Sequence, residues 1–228
     1  MNRQSGSEDV RISEDRLMSF YQAIKRAEYI VSSRKPDLLI APLRGAEPII
    51  ESMRVIARLE GHELPEVVYV ETGTITARED GKPLRPLFPH AKVDLVDKRL
   101  TPHLEGSVRP LRLCLIDEVE QGGSIVKNFD YVNGAMRLMH PGVDFELFAI
   151  AICSRGTEKC EGFNQLRMMG RIFPLFVDDL FTVDRVRFLS PLVRRGDDVQ
   201  REGEYPRDSK RILYSEIERL HLELRKGA

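Results

Sequence analysis

Five short apolar runs punctuate the chain: Leu38-Leu39-Ile40-Ala41, Val67 to Val70, Leu111 to Ile116, Phe145 to Ile152 and Ile172 to Val177. Each is too short to stand as a helix and each ends at turn-forming or charged residues, so each reads as a strand. Between them lie stretches whose apolar residues recur at steps of three or four. Ser13-Glu14-Asp15 opens the first, with Leu17, Phe20, Tyr21, Ile24 and Ala27 along one side. Ile49, Ile50, Met53, Ile56 and Leu59 mark the second, which Gly61 stops. Ile125, Phe129, Val132, Met136 and Met139 mark the third, from Ser124 to Pro141-Gly142, and Asp208 to Lys226 closes the chain with Leu213, Ile217, Leu220 and Leu224 in line. Apolar strands alternating with amphipathic helices predict an α/β fold, a mostly parallel sheet covered by helices on both faces. Ligands of such sheets bind at the carboxyl ends of the strands. The residues following Ile40, Val70, Ile116, Ile152 and Val177 are therefore the ones to read for chemistry.

A length of 228 residues suits a single domain, 11–228, behind a polar tail over residues 1–10. Residues 73–110 carry prolines, glycines and many charges with weak periodicity, and read as a long loop that can hold a hairpin. Lys plus Arg (35) nearly cancel Asp plus Glu (36), so no global field favours capture of a nucleic acid. No apolar run approaches the roughly 18 residues that span a bilayer, and the first ten residues lack the apolar core of a leader. The expectation is a soluble, cytoplasmic protein. Cys114, Cys153 and Cys160 include no CxxC pair and read as reduced thiols, two of them in or beside core strands. His62, His90, His103, His140 and His221 are scattered, without a pair four apart or a cysteine nearby, and their spacing suggests no zinc site.

The most informative segment is Leu115-Ile116-Asp117-Glu118-Val119-Glu120-Gln121-Gly122-Gly123-Ser124. A strand ends in two acids, and a Gly-Gly turn then leads into a helix that opens with Ser. Two glycines allow backbone N–H groups to approach an anion closely. The helix N-terminus adds partial positive charge and the Ser124 hydroxyl another donor, so the turn can cradle a phosphate. Carboxylates at the strand end can accept from the vicinal hydroxyls of a ribose, or hold Mg²⁺ directly or through water. A second loop, Ala41-Pro42-Leu43-Arg44-Gly45-Ala46-Glu47-Pro48, places a bidentate cation and a glycine at the mouth of a helix.

These two loops, in this order, resemble those of the type I phosphoribosyltransferases, over roughly residues 36 to 180. Asp117 and Glu118 match the family's acidic pair, and Gly122, Gly123 and Ser124 its phosphate loop. Gln121 stands where the family places a hydroxyl residue, the spacing from acids to glycine is one residue short, and Glu120 adds negative charge beside the phosphate. The resemblance implies that Leu43, Arg44 and Gly45 bind pyrophosphate, with a non-proline cis peptide at Leu43-Arg44. It implies a mobile loop within residues 73–110, with Arg78, Lys82, Arg85, Lys98 and Arg99 meeting the pyrophosphate on closure. It also implies a small hood over residues 178–228 ahead of and including the C-terminal helix, with Arg155, Asp178 and Phe181 near the base. The implied activity transfers 5-phosphoribosyl from phosphoribosyl pyrophosphate to a nitrogenous base, with Mg²⁺ as cofactor and Asp117, Glu118 and Arg44 as the catalytic set. Homodimers, frequent in the family, are implied by resemblance only. Two alternatives stay open: a nucleotide-sensing regulatory module without turnover, and a nucleotide N-glycosidic hydrolase working within a larger assembly.

Overall fold

Helix and strand alternate as the apolar runs predict. The computed structural model describes residues 14–42, 46–70, 78–79, 82–83, 89–104, 109–177, 192–195, 198–201 and 207–227. Helix α1 (Glu14–Arg34) leads into β1 (Leu38–Pro42), α2 (Ala46–Glu60) and β2 (Glu66–Val70). Two short strands, β3 (Arg78–Glu79) and β4 (Lys82–Pro83), precede α3 (Pro89–Leu104). Then follow β5 (Leu111–Val119), α4 (Gly123–Met139), β6 (Phe145–Cys153), a 3-10 turn over Arg155–Lys159, α5 (Glu161–Met168) and β7 (Ile172–Phe176). Strands β8 (Leu192–Arg195) and β9 (Asp198–Arg201) pair antiparallel ahead of the last helix, α6 (Arg207–Lys226).

The main sheet runs β2-β1-β5-β6-β7 and every pairing in it is parallel. The chain first moves outward from β1 to β2, then returns to the other side of β1 and proceeds outward through β5, β6 and β7. A right-handed crossover carries its helix to the opposite face when the direction of travel reverses, and the packing obeys this. On one face α1, α2 and α6 bury Phe20, Ile24, Ile49, Met53 and Ile217 against Leu39, Cys114, Ile116 and Ile150. On the other, α3, α4 and α5 bury Leu100, Ile125, Val132 and Phe163 against Ile40, Leu113, Leu115 and Ala149. Central strands apolar on both faces follow directly. At the amino ends of β1 and β5 a polar lock holds the pair: the Arg112 N–H donates to Asp37 Oδ2 at 2.9 Å, the Asp37 N–H to the Arg112 carbonyl at 2.8 Å, and Arg109 pairs with Asp37 Oδ1.

One stretch contradicts the sequence reading, and α5 (Glu161–Met168) was not read from the sequence at all. Residues 89–104, expected within a long loop, form α3, whose Val96, Leu100 and Leu104 are buried. Pro89 occupies the first helical position, where its missing N–H costs nothing, and Val93, Val96, Leu100 and Leu104 recur at steps of three and four. The surrounding charges and Pro102 in the last turn obscure that period. The same stretch, read as able to hold a hairpin, carries β3 and β4 paired antiparallel. Lys98 and Arg99, expected on a mobile loop, are exposed residues of this docked helix. The closing helix packs as its period predicts at Leu213, Ile217 and Leu220, whereas Leu224 projects beyond the core and is exposed. Among the described residues no helix is long and apolar enough to cross a membrane.

Leu100 separates a docked helix from a solvated loop. Leu100→Ala is expected to cost about 2–5 kcal/mol in urea unfolding, the range for a buried leucine. A change within about 0.5 kcal/mol, as for a loop residue, would contradict the docking of α3.

Candidate active site at the carboxyl ends of β1 and β5

Strand β5 carries both candidate carboxylates, and the alternation of a strand sends neighbours to opposite faces. Ile116 belongs to the α1–α2 core, whereas Leu115 and Val119 belong to the α3–α4 core. Asp117 therefore points toward α4 and Glu118 toward α2. Asp117 is buried and accepts from the Glu118 N–H at 2.9 Å and from the Asn128 amide of α4 at 3.2 Å. Burial first, and the neighbouring Glu118 charge next, push its carboxyl up to about 8. Burial thus favours the uncharged form of Asp117, against the two hydrogen bonds that favour the carboxylate. Its contacts tie the strand end to the second turn of α4. Glu118 is also buried, on the face where β1 hands over to α2.

The turn between β5 and α4 is gripped from the side by the segment after β6. Ser154 Oγ donates to the Glu120 carbonyl at 2.9 Å, and Thr157 Oγ1 lies 3.2 Å from the carbonyls of both Val119 and Glu120. The Ser154 N–H donates to Val119 at 3.3 Å. Gly122 closes the turn at φ +82°, and a Cβ there would stand 2.7 Å from Cys160 Cβ. Gly123 differs: a Cβ there would meet nothing within 4 Å. The carbonyls of the turn are thus held by hydroxyls on one side while Gly123, the first residue of α4, borders open space. The N-cap of α4 is Gly122, which has no side chain to cap the helix, and the first N–H groups of a helix have no intrahelical acceptor. Ser124 and Gln121 are exposed beside it.

The place where these features meet is the reversal in strand order between β1 and β5, where an open α/β sheet leaves a crevice beyond its carboxyl ends. β1 ends at Pro42 and α2 begins at Ala46, so the expected pyrophosphate loop joins elements on that crevice. Leu43, Arg44 and Gly45 themselves, and the expected cis peptide, lie outside the described residues. So do Arg85, Asp178 and Phe181, as well as the side chains of Arg78, Lys82 and Arg155. Asp117, Glu118, Gly122, Gly123 and Ser124 are brought to one strand-to-helix turn, but the acids are not paired on one face. Ser154, Thr157 and Asn128 support the turn and were not singled out by the sequence; hydroxyls just after Cys153, at the next strand end, are the signal that would have found the first two.

Asp117 and Glu118 are the carboxylates that would meet magnesium: each Asp117 oxygen accepts one hydrogen bond from the protein, so an ion there would share or replace those contacts or reach the carboxylate through water.

No family model matches the chain, and no curated protein matches it. Among solved structures it is similar to a purine phosphoribosyltransferase from Pyrococcus horikoshii Ot3, at 14% sequence identity and a TM-score of 0.35, over 61% of this chain and 77% of that one. At that level the likeness decides neither family nor activity.

Two outcomes are expected from the turn. Gly122→Ala combines a left-handed backbone, worth about 1–2 kcal/mol, with a clash against Cys160, and is expected to destabilise by at least about 2 kcal/mol. Gly123→Ala has room, and a cost equal to that of Gly122→Ala in chemical denaturation would refute the difference. The second concerns pH. A carboxyl whose folded-state pKa lies above its unfolded value favours folding at low pH and loses that contribution as pH rises from its ordinary 3.8 toward about 8. Asp117→Asn should flatten the stability profile across that window, so that the difference between variant and parent shifts in the variant's favour as pH rises toward 8. Parallel profiles would contradict the buried, protonated state.

Proposed function

We propose that the chain binds a 5-phosphoribosyl group in the crevice between β1 and β5 and transfers it from phosphoribosyl pyrophosphate to a nitrogenous base. The observation that carries the reading is the glycine-capped N-terminus of α4, opening at Gly123 onto the crevice where strand order reverses. That end of α4 takes the 5′-phosphate on its first N–H groups, with the Ser124 hydroxyl as a further donor and Gln121 at its edge. Glu118 accepts from the ribose hydroxyls, and Asp117, where protonated, donates or stays with Asn128. Leu43, Arg44 and Gly45 are assigned to pyrophosphate by the sequence resemblance. Arg155, Asp178 and Phe181 are assigned to the base on the same ground.

In the reaction the bond from C1′ to the pyrophosphate oxygen breaks, and a bond from C1′ to a ring nitrogen of the base forms. The base surrenders its proton to solvent or pyrophosphate. No side-chain nucleophile is needed, because the protein supplies positioning and charge complementarity around an oxocarbenium-like transition state. Magnesium accompanying the substrate would neutralise charge on the departing pyrophosphate, with Asp117 and Glu118 as the side chains that would meet it, directly or through water.

A second reading is a binding module that senses a phosphoribosyl ligand without turnover. The buried Asp117, pushed toward its protonated form, favours it, since an acid pair split between two faces is poorly arranged for a joint clamp. Calorimetric titration with phosphoribosyl pyrophosphate and Mg²⁺, followed by a pyrophosphate-release assay across purine and pyrimidine bases, separates the two. The transferase gives binding and release, and the sensor binding alone. An absence of binding by the folded chain would overturn both. The double substitution Asp117→Asn with Glu118→Gln is expected to weaken binding at least about tenfold, through loss of charge-assisted bonds of about 1.5–3 kcal/mol. Glu118→Gln alone should carry most of the loss, because burial favours the uncharged form of Asp117.

A further inference from the structure

A second group of ligating side chains lies at the other end of the molecule. Helix α2 begins beyond the carboxyl end of β1 and returns to the amino end of β2, so its last turn sits opposite the phosphate turn. There Glu60 and His62 approach Glu28 of α1, and the ligating atoms of the three all lie within 4.8 Å of one another. His62 Nε2 is 2.7 Å from Glu28 Oε1. Lys25 pairs with Glu60 and lies 3.8 Å from Glu28 Oε2.

An independent observation points into the same cluster. His221 of α6 is only 1% exposed, and its Nε2 has no hydrogen-bond partner although it faces Glu60 Oε1 at 3.8 Å. Its other ring nitrogen, Nδ1, is 3.0 Å from the Tyr21 hydroxyl. A metal-ligating histidine engages its second nitrogen in this way, which orients the ring and leaves the first with a lone pair. A buried ring nitrogen without a partner is otherwise costly and uncommon.

We propose that Glu28, Glu60, His62 and His221 form a binding site for zinc or a closely similar divalent transition-metal ion, which fastens the C-terminal helix α6 to the α1–α2 layer. Two imidazole nitrogens and two carboxylate oxygens form a donor set suited to zinc and not to calcium or magnesium, which take oxygen alone. Three elements distant in sequence supply the four ligands, so the metal would act as a cross-link. Lys25 holds the cluster in the absence of metal and neutralises part of the charge of the two glutamates. Its side chain is 31% exposed, so it can swing into water as the ion enters. With the lysine displaced, two carboxylates and a dication leave the site neutral. His62 and Glu60 are partly exposed, at 36% and 26% of their side chains, and open the route from solvent.

The test uses the full chain, stripped with a chelator, then equilibrated with zinc sulfate and desalted. Elemental analysis is expected to give one zinc per chain, with competition against a chromophoric chelator reporting affinity. His62→Ala, at a partly exposed position that does not threaten folding, should weaken zinc binding at least about tenfold. Lys25→Met should bind zinc at least as tightly as the parent, because the competing ammonium is gone, whereas an ion held by scattered surface groups would not respond to either change. Zinc should also raise the thermal midpoint of the parent and of Lys25→Met, but not of His62→Ala. Failure of the parent to retain zinc, or equal retention by parent and His62→Ala, would overturn the assignment and leave Lys25 as the permanent counter-ion of the cluster.

Discussion

The pairing of β1 with β5 is the contact on which the architecture turns. It joins the point where the chain stops building outward in one direction to the point where it starts in the other. Right-handed crossovers then have no choice but to place α2 on one face and α4 on the other. The sheet becomes two-sided, its central strands become apolar on both faces, and a crevice opens where the two helices diverge. The Asp37 lock with Arg109 and Arg112 fixes this pair at its amino end and leaves the carboxyl end to the loops.

At that carboxyl end the turn from β5 to α4 has opposite demands on its two sides. Its carbonyls must be satisfied, and the hydroxyls of Ser154 and Thr157 do this. Its helix-opening N–H groups must remain available if an anion is to bind, and a glycine at the N-cap, Gly122, brings no side chain of its own to compete for them. The two glycines divide these tasks. Gly122 is a packing residue, pressed against the start of α5, while Gly123 borders space. Asp117 belongs with the packing residues, for its contacts run to Asn128 and to its own strand. A sequence motif of acids and glycines thus resolves into a supporting half and a half that can meet a ligand.

Most of the sheet was legible because a strand buried on both faces writes itself as an uninterrupted apolar run. Helices α1, α2, α4 and α6 were legible from their period. Helix α3 was not, since its apolar positions Val96, Leu100 and Leu104 are interleaved with charges and end in a proline. The opposite facing of Asp117 and Glu118 was available from strand alternation, but the resemblance to an acidic pair suggested a joint role. The approach of His62 and His221 to Glu28 and Glu60 was beyond sequence spacing altogether, because it arises from α6 returning across the α1–α2 face.

The most direct measurement is the amide spectrum of the chain during titration with ribose 5-phosphate. A phosphate seated on α4 would move the signals of Gly123, Ser124 and Glu118 together along one saturable curve, and leave those of Glu28, His62 and His221 in place. Movement confined to residues remote from the β5–α4 turn, or no movement at millimolar ligand, would contradict a phosphoribosyl site at the reversal of the sheet.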